Sequence, residues 1–203
     1  MVKRFFGPAV VAFLLVLMVF TGCGRRYRTP QLAPPGQQGH ASVVIRFVAE
    51  TRTERQKGRV VLDTDGRRAR MLFLNPLNRV VMDLHVELDR ATLVNRGRKR
   101  YWRGDFRELI RRIWQLRLEF ADLRRLLFDA VAPRALTRQA GLRVQVERDT
   151  DSGLPVMVQI TDGIAQLRIT VLRRRRVAGV LDSPRSLESL VQADLEEVIS
   201  HED

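Results

Sequence analysis

Alternating apolar and polar positions recur along most of this chain and predict a protein built mainly from short β-strands. The first clear example begins at Ser42, where Val43, Ile45, Phe47 and Ala49 occupy every second position. Successive side chains of a strand point to opposite faces, so this period predicts one firmly buried face. Comparable segments follow at residues 59–63, 69–74, 80–88, 91–95, 98–102, 142–146, 156–160 and 167–171.

Tight turns join several of these segments. Asp65-Gly66 and Arg96-Gly97 each separate two strand-like runs, and Asp162-Gly163 separates the last two. Such dipeptides between strands are typical of β-hairpins. About eight or nine short strands connected in this way predict one antiparallel sheet that is strongly curved or partly closed.

Helical periodicity interrupts the strands twice and returns near the C-terminus. Phe106, Leu109, Ile110, Ile113 and Trp114 repeat at helical spacing, with Asp105 as the predicted N-cap. A second short helix carries Leu123, Leu126, Leu127 and Ala130 and ends before Pro133. A third helix is predicted from Ser183-Pro184, an N-cap and N1 pair, to about Ser200. Its apolar stripe is Leu187, Leu190, Val191, Leu195, Val198 and Ile199, and its outer face is acidic.

The first 22 residues have the pattern of a secretory signal peptide. Lys3 and Arg4 precede an apolar run over residues 5–20, and small residues lead directly to Cys23. The apolar run of about 16 residues is short for a membrane-spanning helix, which needs roughly 20. Cys23 is the only cysteine of the chain, so no disulfide can form, and its neighbours offer no further metal ligands.

The segment ending at Cys23 resembles the lipobox of bacterial lipoproteins, which implies that Cys23 is the first mature residue and is acylated. Several acyl chains hold a protein to a membrane far more firmly than one. Lipoproteins retained in the inner membrane often carry Asp after the cysteine, whereas this chain has Gly24. The resemblance therefore implies the outer membrane, on its periplasmic face. By the same resemblance, residues 23–40 begin with the acylated N-terminus, and their richness in Pro, Gly and Gln predicts that the remainder is a flexible tether.

The charge of the chain is strongly basic. A formal net charge of +13 would ordinarily indicate a nucleic-acid-binding protein, but the export signal argues against that function. Anionic lipid head groups or an acidic protein are more plausible partners for the basic surface, and a solvated basic face is the simplest alternative. The arginine tract at residues 173–176 has the same two interpretations: contact with anionic lipid, or pairing with the acidic C-terminal helix.

No candidate active site or cofactor site is present in the sequence. It contains no phosphate-binding glycine loop, nucleophile elbow or HExxH motif. His85 lies between Asp83 and Glu87 on the polar side of a predicted strand, a row that can bind a metal but is equally a hydrated strand face. His40 falls in the predicted tether. We therefore predict no catalytic residue, no metal and no cofactor.

One turn draws attention because of its leucine. Asn75-Pro76-Leu77-Asn78 follows the strand at 70–74 and has a composition typical of turns, so Leu77 is predicted to be exposed at the tip. An exposed leucine alone needs no explanation. It becomes suggestive in a domain that is tethered to a membrane.

Residues 70–133 resemble the LolB family of outer-membrane lipoprotein insertases. Leu72-Phe73-Leu74-Asn75-Pro76-Leu77 carries the resemblance most sharply, and the late strand ending in Asp162-Gly163 supports it. The resemblance implies an α+β fold, an incomplete and strongly curved antiparallel β-barrel whose open side is covered by helices. It assigns residues 41–177 to the barrel domain, with helices near 105–131, and leaves an acidic C-terminal helix at 178–203.

The family resemblance further implies a function without catalysis. Acyl chains of lipoproteins, delivered by a soluble LolA-like carrier, would occupy a hydrophobic cavity, and Leu77 would project into the membrane during insertion. The chain would act as a monomer that contacts acylated lipoproteins, the carrier and outer-membrane lipid. The expected cavity lining is Phe47, Leu62, Leu72, Leu74, Met82, Leu84, Ile110, Ile113, Trp114, Val144, Val158 and Ile169.

Two other interpretations stay open from the residues themselves. Each lining residue is equally suited to ordinary core packing. A lipoprotein of the same fold can also act as a scaffold for an envelope complex through its basic face. An enclosed apolar cavity would favour lipid transport, whereas a filled core would favour the scaffold.

Overall fold

Ten strands form a single sheet that is antiparallel except at one edge. The computed structural model describes residues 39–128, 141–179, 181 and 187–199. The strands are β1 Gly39–Glu50, β2 Arg55–Thr64, β3 Arg68–Leu74, β4 Val80–Glu87, β5 Arg90–Asn95, β6 Arg100–Asp105, β7 Arg143–Arg148, β8 Pro155–Thr161, β9 Gln166–Ala178 and β10 Val191–Gln192. Their order in the sheet is β10-β6-β5-β4-β3-β2-β1-β9-β8-β7, and β10 pairs parallel to β6. The fold is therefore α+β, as predicted.

In the described part of the chain, three short helices accompany the sheet: α1 Phe106–Trp114, α2 Phe120–Phe128 and α3 Leu195–Ile199. Asp105 caps α1 as the sequence predicts, because its side chain accepts a hydrogen bond from the amide of Glu108. Leu109 and Ile110 of α1 and Leu127 of α2 are almost fully buried. None of the helices in the described part of the chain is long and apolar enough to cross a bilayer.

One side of the sheet, called here the inner side, packs with the helices into the main apolar cluster. The alternation seen in the sequence decides which residues take part: Val43, Ile45 and Phe47 of β1 point to this side. The cluster continues through β2–β9 and includes buried residues of all three helices. Burial of these side chains is the dominant favourable contribution to folding.

The opposite, outer side of β1–β4 holds a smaller apolar group. Val61, Leu72 and Leu74 are buried there, with Val44 and Val80 packed against them. The sequence-based prediction that Leu72 and Leu74 line a cavity with Phe47 is therefore wrong, because they point away from it. Met71 and Phe73 occupy the inner positions of β3 instead.

The C-terminal helix predicted from Ser183-Pro184 to about Ser200 is wrong over residues 187–194, which are not helical. Residues 182–186 lie outside the described part, but Val191 and Gln192 form strand β10 beside β6. The amide of Val191 donates to the carbonyl of Lys99, and the amide of Ala193 donates to that of Tyr101. Within the described residues 187–199, helix is confined to Leu195–Ile199.

The domain also begins earlier than predicted. β1 begins at Gly39, so His40 lies in a strand and not in the tether. Its ring Nδ1 is 3.3 Å from the carbonyl oxygen of Gly179, and its side chain is buried. The predicted signal peptide, Cys23 and the remainder of the predicted tether lie outside the described residues, as does the predicted end of the second helix, at 129–131.

Candidate functional site

The turn at residues 75–79 holds Leu77 outward on a rigid frame. The Oδ1 atom of the buried Asn75 accepts hydrogen bonds from the amides of Leu77 (3.0 Å) and Arg79 (2.9 Å). The Asn78 amide donates to the Asn75 carbonyl, and Asn78 takes a φ of 57°, a left-handed conformation that asparagine tolerates. The side chain of Leu77 is left 59% exposed, as the sequence predicts.

A side-chain contact braces this turn against the neighbouring strand. Arg59 of β2 lies opposite Leu74 in the sheet, and its Nη1 donates to Oδ1 of Asn78 at 2.7 Å. The turn is thus fixed both by its own backbone and by β2. Leu77 therefore projects from an ordered frame and does not sit on a long flexible loop.

Most of the predicted lining residues do come together on the inner side of the sheet. Seven of the twelve are buried in the main cluster: Phe47, Leu62, Leu84, Ile110, Trp114, Val158 and Ile169. Met82, Ile113 and Val144 pack against it while partly buried. Leu72 and Leu74 are the two exceptions, on the outer side.

Aromatic rings form the centre of the inner layer. The Phe47 ring lies 5.6 Å from Trp114 and 6.5 Å from Phe73, and Phe106 lies 5.6 Å from Phe120. Nε1 of Trp114 is buried and, within the described part of the chain, has no hydrogen-bond partner. Unpaired buried donors are rare in native proteins, so this atom is notable in an otherwise apolar layer.

A buried polar cluster lies on the outer side and was missed by the sequence analysis. Asp83 and His85 of β4 are buried, not hydrated, and Nε2 of His85 is 3.0 Å from Oδ1 of Asp83. Burial opposes ionisation of Asp83, but hydrogen bonds from His85 and Arg70 and their charges outweigh it and lower its pKa to about 2. A strand that alternates apolar and polar residues gives no sign that its polar side is also covered.

Asp63 of β2 belongs to the same side of the sheet and has the opposite electrostatic balance. Burial raises the pKa of Asp63, against the opposing effects of the Ser42 hydroxyl and the charges of His40, Arg70 and Arg175. Among the described residues, no group of three or more His, Cys, Asp or Glu side chains is arranged to hold a metal. This cluster links strands β1–β4 and has the character of a structural network.

The arginine tract at 173–176 lies in the second half of β9. The guanidinium of Arg174 donates to the carbonyl oxygens of Leu127 and Pro155, which ties β9 to α2 and β8. The acids of α3 do not turn toward the tract: Glu197 pairs with Arg100 and Glu196 with Arg112. A shallow cleft of roughly 390 Å³ beside Arg174 borders the main apolar cluster, because Val43 of that cluster and Phe128, which packs against it, are among its lining residues.

Comparison with known proteins shows the family of this chain. A family model described as outer membrane lipoprotein LolB matches residues 40–173. No curated protein sequence matches the chain. Two solved structures resemble it at low identity. A putative outer membrane lipoprotein-sorting protein domain from Vibrio parahaemolyticus is 10% identical, covers 71% of this chain and 88% of its own, and has a TM-score of 0.39. An uncharacterized conserved protein from Thermus thermophilus is 12% identical, covers 76% and 90%, and has a TM-score of 0.38.

Proposed function

Because this chain belongs to the LolB family of outer-membrane lipoproteins, we propose that it binds the acyl chains of other lipoproteins and helps to insert them into the outer membrane. The family match agrees with the resemblance carried by residues 70–133. Members of the family are non-enzymatic lipoprotein receptors, and membership implies a role in lipoprotein localisation at the outer membrane. The acyl-binding step, its partners and the insertion step form the proposal.

The acyl chains would bind between the inner side of the sheet and helices α1 and α2. This layer is apolar apart from Nε1 of Trp114, and each methylene moved from water into such a layer contributes about 0.8 kcal/mol. α1 and α2 have nine residues each, too few to be stable without the sheet. We propose that the sheet forms an incomplete, curved barrel and that these helices move to admit a chain.

The Nε1 atom of Trp114, which has no hydrogen-bond partner among the described residues, supports this location. A buried donor without an acceptor costs roughly 1–3 kcal/mol, and an apolar protein neighbour cannot satisfy it. The acyl groups of a lipoprotein are attached through ester and amide bonds, and the carbonyl oxygens of these bonds accept hydrogen bonds. Such a carbonyl at Trp114 would satisfy the donor, while the hydrocarbon chain lay beside Phe47.

Leu77 carries the insertion step of the proposal. Its side chain is exposed at the tip of a braced turn, with no apolar neighbour needed to hold the turn in place. Transfer of a leucine into an apolar environment is worth about 1.5–3 kcal/mol, enough to bias a turn toward the bilayer. We place the lipid anchor itself at Cys23, and a LolA-like carrier would deliver the acylated cargo.

The test is a change of Leu77 to glutamate in the full acylated protein. A surface substitution should change the free energy of unfolding by no more than about 0.5 kcal/mol. A carboxylate at the tip should oppose entry into the bilayer, so Leu77→Glu should bind acylated cargo normally and deliver it poorly to vesicles. Leu88→Glu is the matched control, because Leu88 is 71% exposed and belongs to a different turn. Equal delivery by both variants would contradict the insertion role.

A scaffold function is the second candidate, and the tightly packed inner layer favours it. Leu62, Leu84 and Ile169 are each no more than 1% exposed, as in a filled core. The two functions differ in what the protein carries. Native mass spectrometry of protein purified from membranes should detect bound lipid or acylated peptide if the transport proposal holds. Reproducible absence of both, with protein partners retained, would favour the scaffold.

A further inference from the structure

The turns of the sheet divide between two ends, which differ in what they present to solvent. Leu74 pairs with Arg59, and Glu50 pairs with Gln166, so the turns at 51–54, 75–79 and 162–165 share one end. The turn at 96–99 lies at the same end, because β5 runs in the same direction as β3 and this turn follows its last residue. We call this the Leu77 end. The turns at 65–67, 88–89 and 149–154 lie at the opposite end.

The turn at 162–165 repeats the construction of the Leu77 turn. Oδ1 of Asp162 accepts hydrogen bonds from the amides of Ile164 and Ala165, both at 2.8 Å. In each turn the first residue is Asn or Asp, its side-chain oxygen holds the amide two residues later, and that later residue is apolar and exposed. Ile164 is 55% exposed, close to the 59% of Leu77.

The same construction at the opposite end presents charged residues. Oδ1 of Asp65 accepts from the amide of Arg67, and Oδ1 of Asp149 accepts from the amide of Asp151. Arg67 and Asp151 are both exposed. Turn geometry therefore does not require an apolar residue at this position. The apolar choice is confined to the Leu77 end.

The charges of the turns follow the same division. The four turns of the Leu77 end carry a net charge of +3, from Arg52, Arg79, Arg96, Arg98 and Lys99 against Glu54 and Asp162. The three turns of the opposite end carry −3, from Asp65, Asp89, Asp149 and Asp151 against Arg67. Leu88 is an exposed apolar residue of the opposite end; it stands between Glu87 and Asp89, and its amide donates to the carbonyl of Arg67.

We propose that the whole Leu77 end is a membrane-docking surface for a leaflet containing anionic phospholipid, with Ile164 as a second apolar contact. The proposal rests on the proposed membrane contact of Leu77 and extends it to a named lipid class and a second turn. Exposed apolar tips that are surrounded by basic residues fit a bilayer surface, where hydrocarbon lies below negatively charged head groups. The net negative charge of the turns at the opposite end disfavours that end for the same surface.

The distance between Leu77 and Ile164 indicates what a second membrane contact would add. Three strand-to-strand steps from β3 to β9 amount to about 14 Å. Thr170 of β9 lies level with Leu74. Gln166, the first residue of β9, lies four residues beyond that level toward the Leu77 end, a distance of about 13 Å along the strand. Leu77 and Ile164 are therefore roughly 20 Å apart along the sheet. Two contacts at that distance fix the orientation of the domain, which a single leucine cannot do.

The test uses the full chain, purified from membranes and reconstituted into vesicles. Leu77→Cys, Ile164→Cys and Leu88→Cys are each labelled with a nitroxide, and the parent chain measures any background from Cys23. Accessibility to oxygen, which partitions into lipid, is compared with accessibility to a water-soluble nickel chelate. In phosphatidylcholine vesicles containing phosphatidylglycerol, we expect the ratio of oxygen accessibility to nickel-chelate accessibility to be several-fold higher at positions 77 and 164 than at position 88.

Each outcome bears on a separate part of the proposal. A label at 164 that behaves like the label at 88, while 77 contacts lipid, overturns the second contact and leaves the function of Leu77 standing. Aqueous labels at both 77 and 164 overturn both. Equal ratios in pure phosphatidylcholine overturn the preference for anionic lipid. Arg96→Glu combined with Lys99→Glu should lower the ratio at 164 in anionic vesicles, whereas Arg67→Glu should leave it unchanged; equal effects of the two changes also overturn that preference.

Discussion

Arg70 and Asp83 form a two-pronged ion pair between neighbouring strands on the outer side of the sheet. Nε of Arg70 is 2.9 Å from Oδ1 of Asp83, and Nη2 is 2.7 Å from Oδ2. Both side chains are largely buried, and His85 approaches Oδ1 of the same carboxylate. A buried charge is tolerated only when its partners satisfy it, and here several donors converge on one carboxylate.

Removing this carboxylate charge should destabilise the protein. Asp83→Asn leaves the Arg70 guanidinium without its counter-charge, and the lowered pKa corresponds to a loss on the order of 2–3 kcal/mol at neutral pH. Urea unfolding at pH 7 measures the change. Glu87→Gln on the same strand is the matched control, because Glu87 is exposed and should change stability by less than about 0.5 kcal/mol. Equal stability of the two variants would contradict the role of the ion pair.

The ion pair of Arg70 and Asp83 also predicts the direction in which the free energy of unfolding changes in acid. The pKa of Asp83 is lowered from 3.8 to about 2, so its contribution is present above pH 3.8 and is lost as pH falls toward 2. The pKa of Asp63 is raised, so its ionisation weakens the folded state as pH rises above 3.8. Asp83→Asn should flatten the acid limb of the stability curve, and Asp63→Asn should steepen it. Parallel curves for both variants would contradict this assignment.

Much of the sheet could be predicted from the sequence because one side of it is consistently apolar. The alternation through Val43, Ile45 and Phe47 identifies β1 and its inner face directly. β3 offered no such guide: Met71, Leu72, Phe73 and Leu74 are all buried, on two different sides. A strand that is apolar on both faces has no period from which to choose the inner one, and Leu72 and Leu74 were assigned to the wrong side.

The C-terminal segment shows a second limit of periodicity. Leu187, Leu190 and Val191 repeat at helical spacing, yet Val191 is exposed and pairs through its backbone with β6. The open edge of β6 offers unpaired backbone groups, and occupying them competes with helix formation. Side-chain spacing carries no information about that edge. The tips at Leu77 and Asp162-Gly163 were predicted well because turn chemistry is local.

A close backbone contact at Gly104 should be intolerant of any side chain. A Cβ atom added there would lie 2.1 Å from Cζ2 of Trp102, so the indole ring has to move. Overpacking of this kind typically costs 1–3 kcal/mol, and we expect Gly104→Ala to lower stability by about 2 kcal/mol. Gly97→Ala is the control, because its nearest contact is an ordinary 3.5 Å to Oδ1 of Asn95. Thermal unfolding of both variants, with tryptophan emission recorded, tests the contact; equal melting would refute it.

Docking of α3 should contribute to the stability of the whole domain. Leu195 and Val198 are buried in the main cluster, and Nδ2 of Asn95 donates to the carbonyl of Val198. We expect Leu195→Ala to cost about 2–4 kcal/mol and to increase binding of a hydrophobic dye. Val191→Ala removes a similar group from a 66% exposed position and should do neither. If Leu195→Ala changed neither quantity, α3 would be an appendage independent of the core.

Trp114 gives the most specific test of acyl binding, because its donor and its packing can be separated. Trp114→Phe keeps an aromatic ring beside Phe47 but removes the unpaired Nε1 donor. The lost volume lowers stability, while removal of the unsatisfied group offsets part of that loss, so we expect a net cost of no more than about 1 kcal/mol.

Affinity for two ligands distinguishes the two roles of Trp114. A hydrogen bond to an ester or amide carbonyl contributes roughly 0.5–1.5 kcal/mol, so the affinity of Trp114→Phe for an acylated peptide should fall about three- to tenfold. Binding of an alkane of the same length, which has no carbonyl, should be almost unchanged. Isothermal titration with both ligands measures the difference. A similar loss for both ligands would show that Trp114 only packs in the layer, and unchanged affinity for the acylated peptide would remove the carbonyl from the proposed binding site.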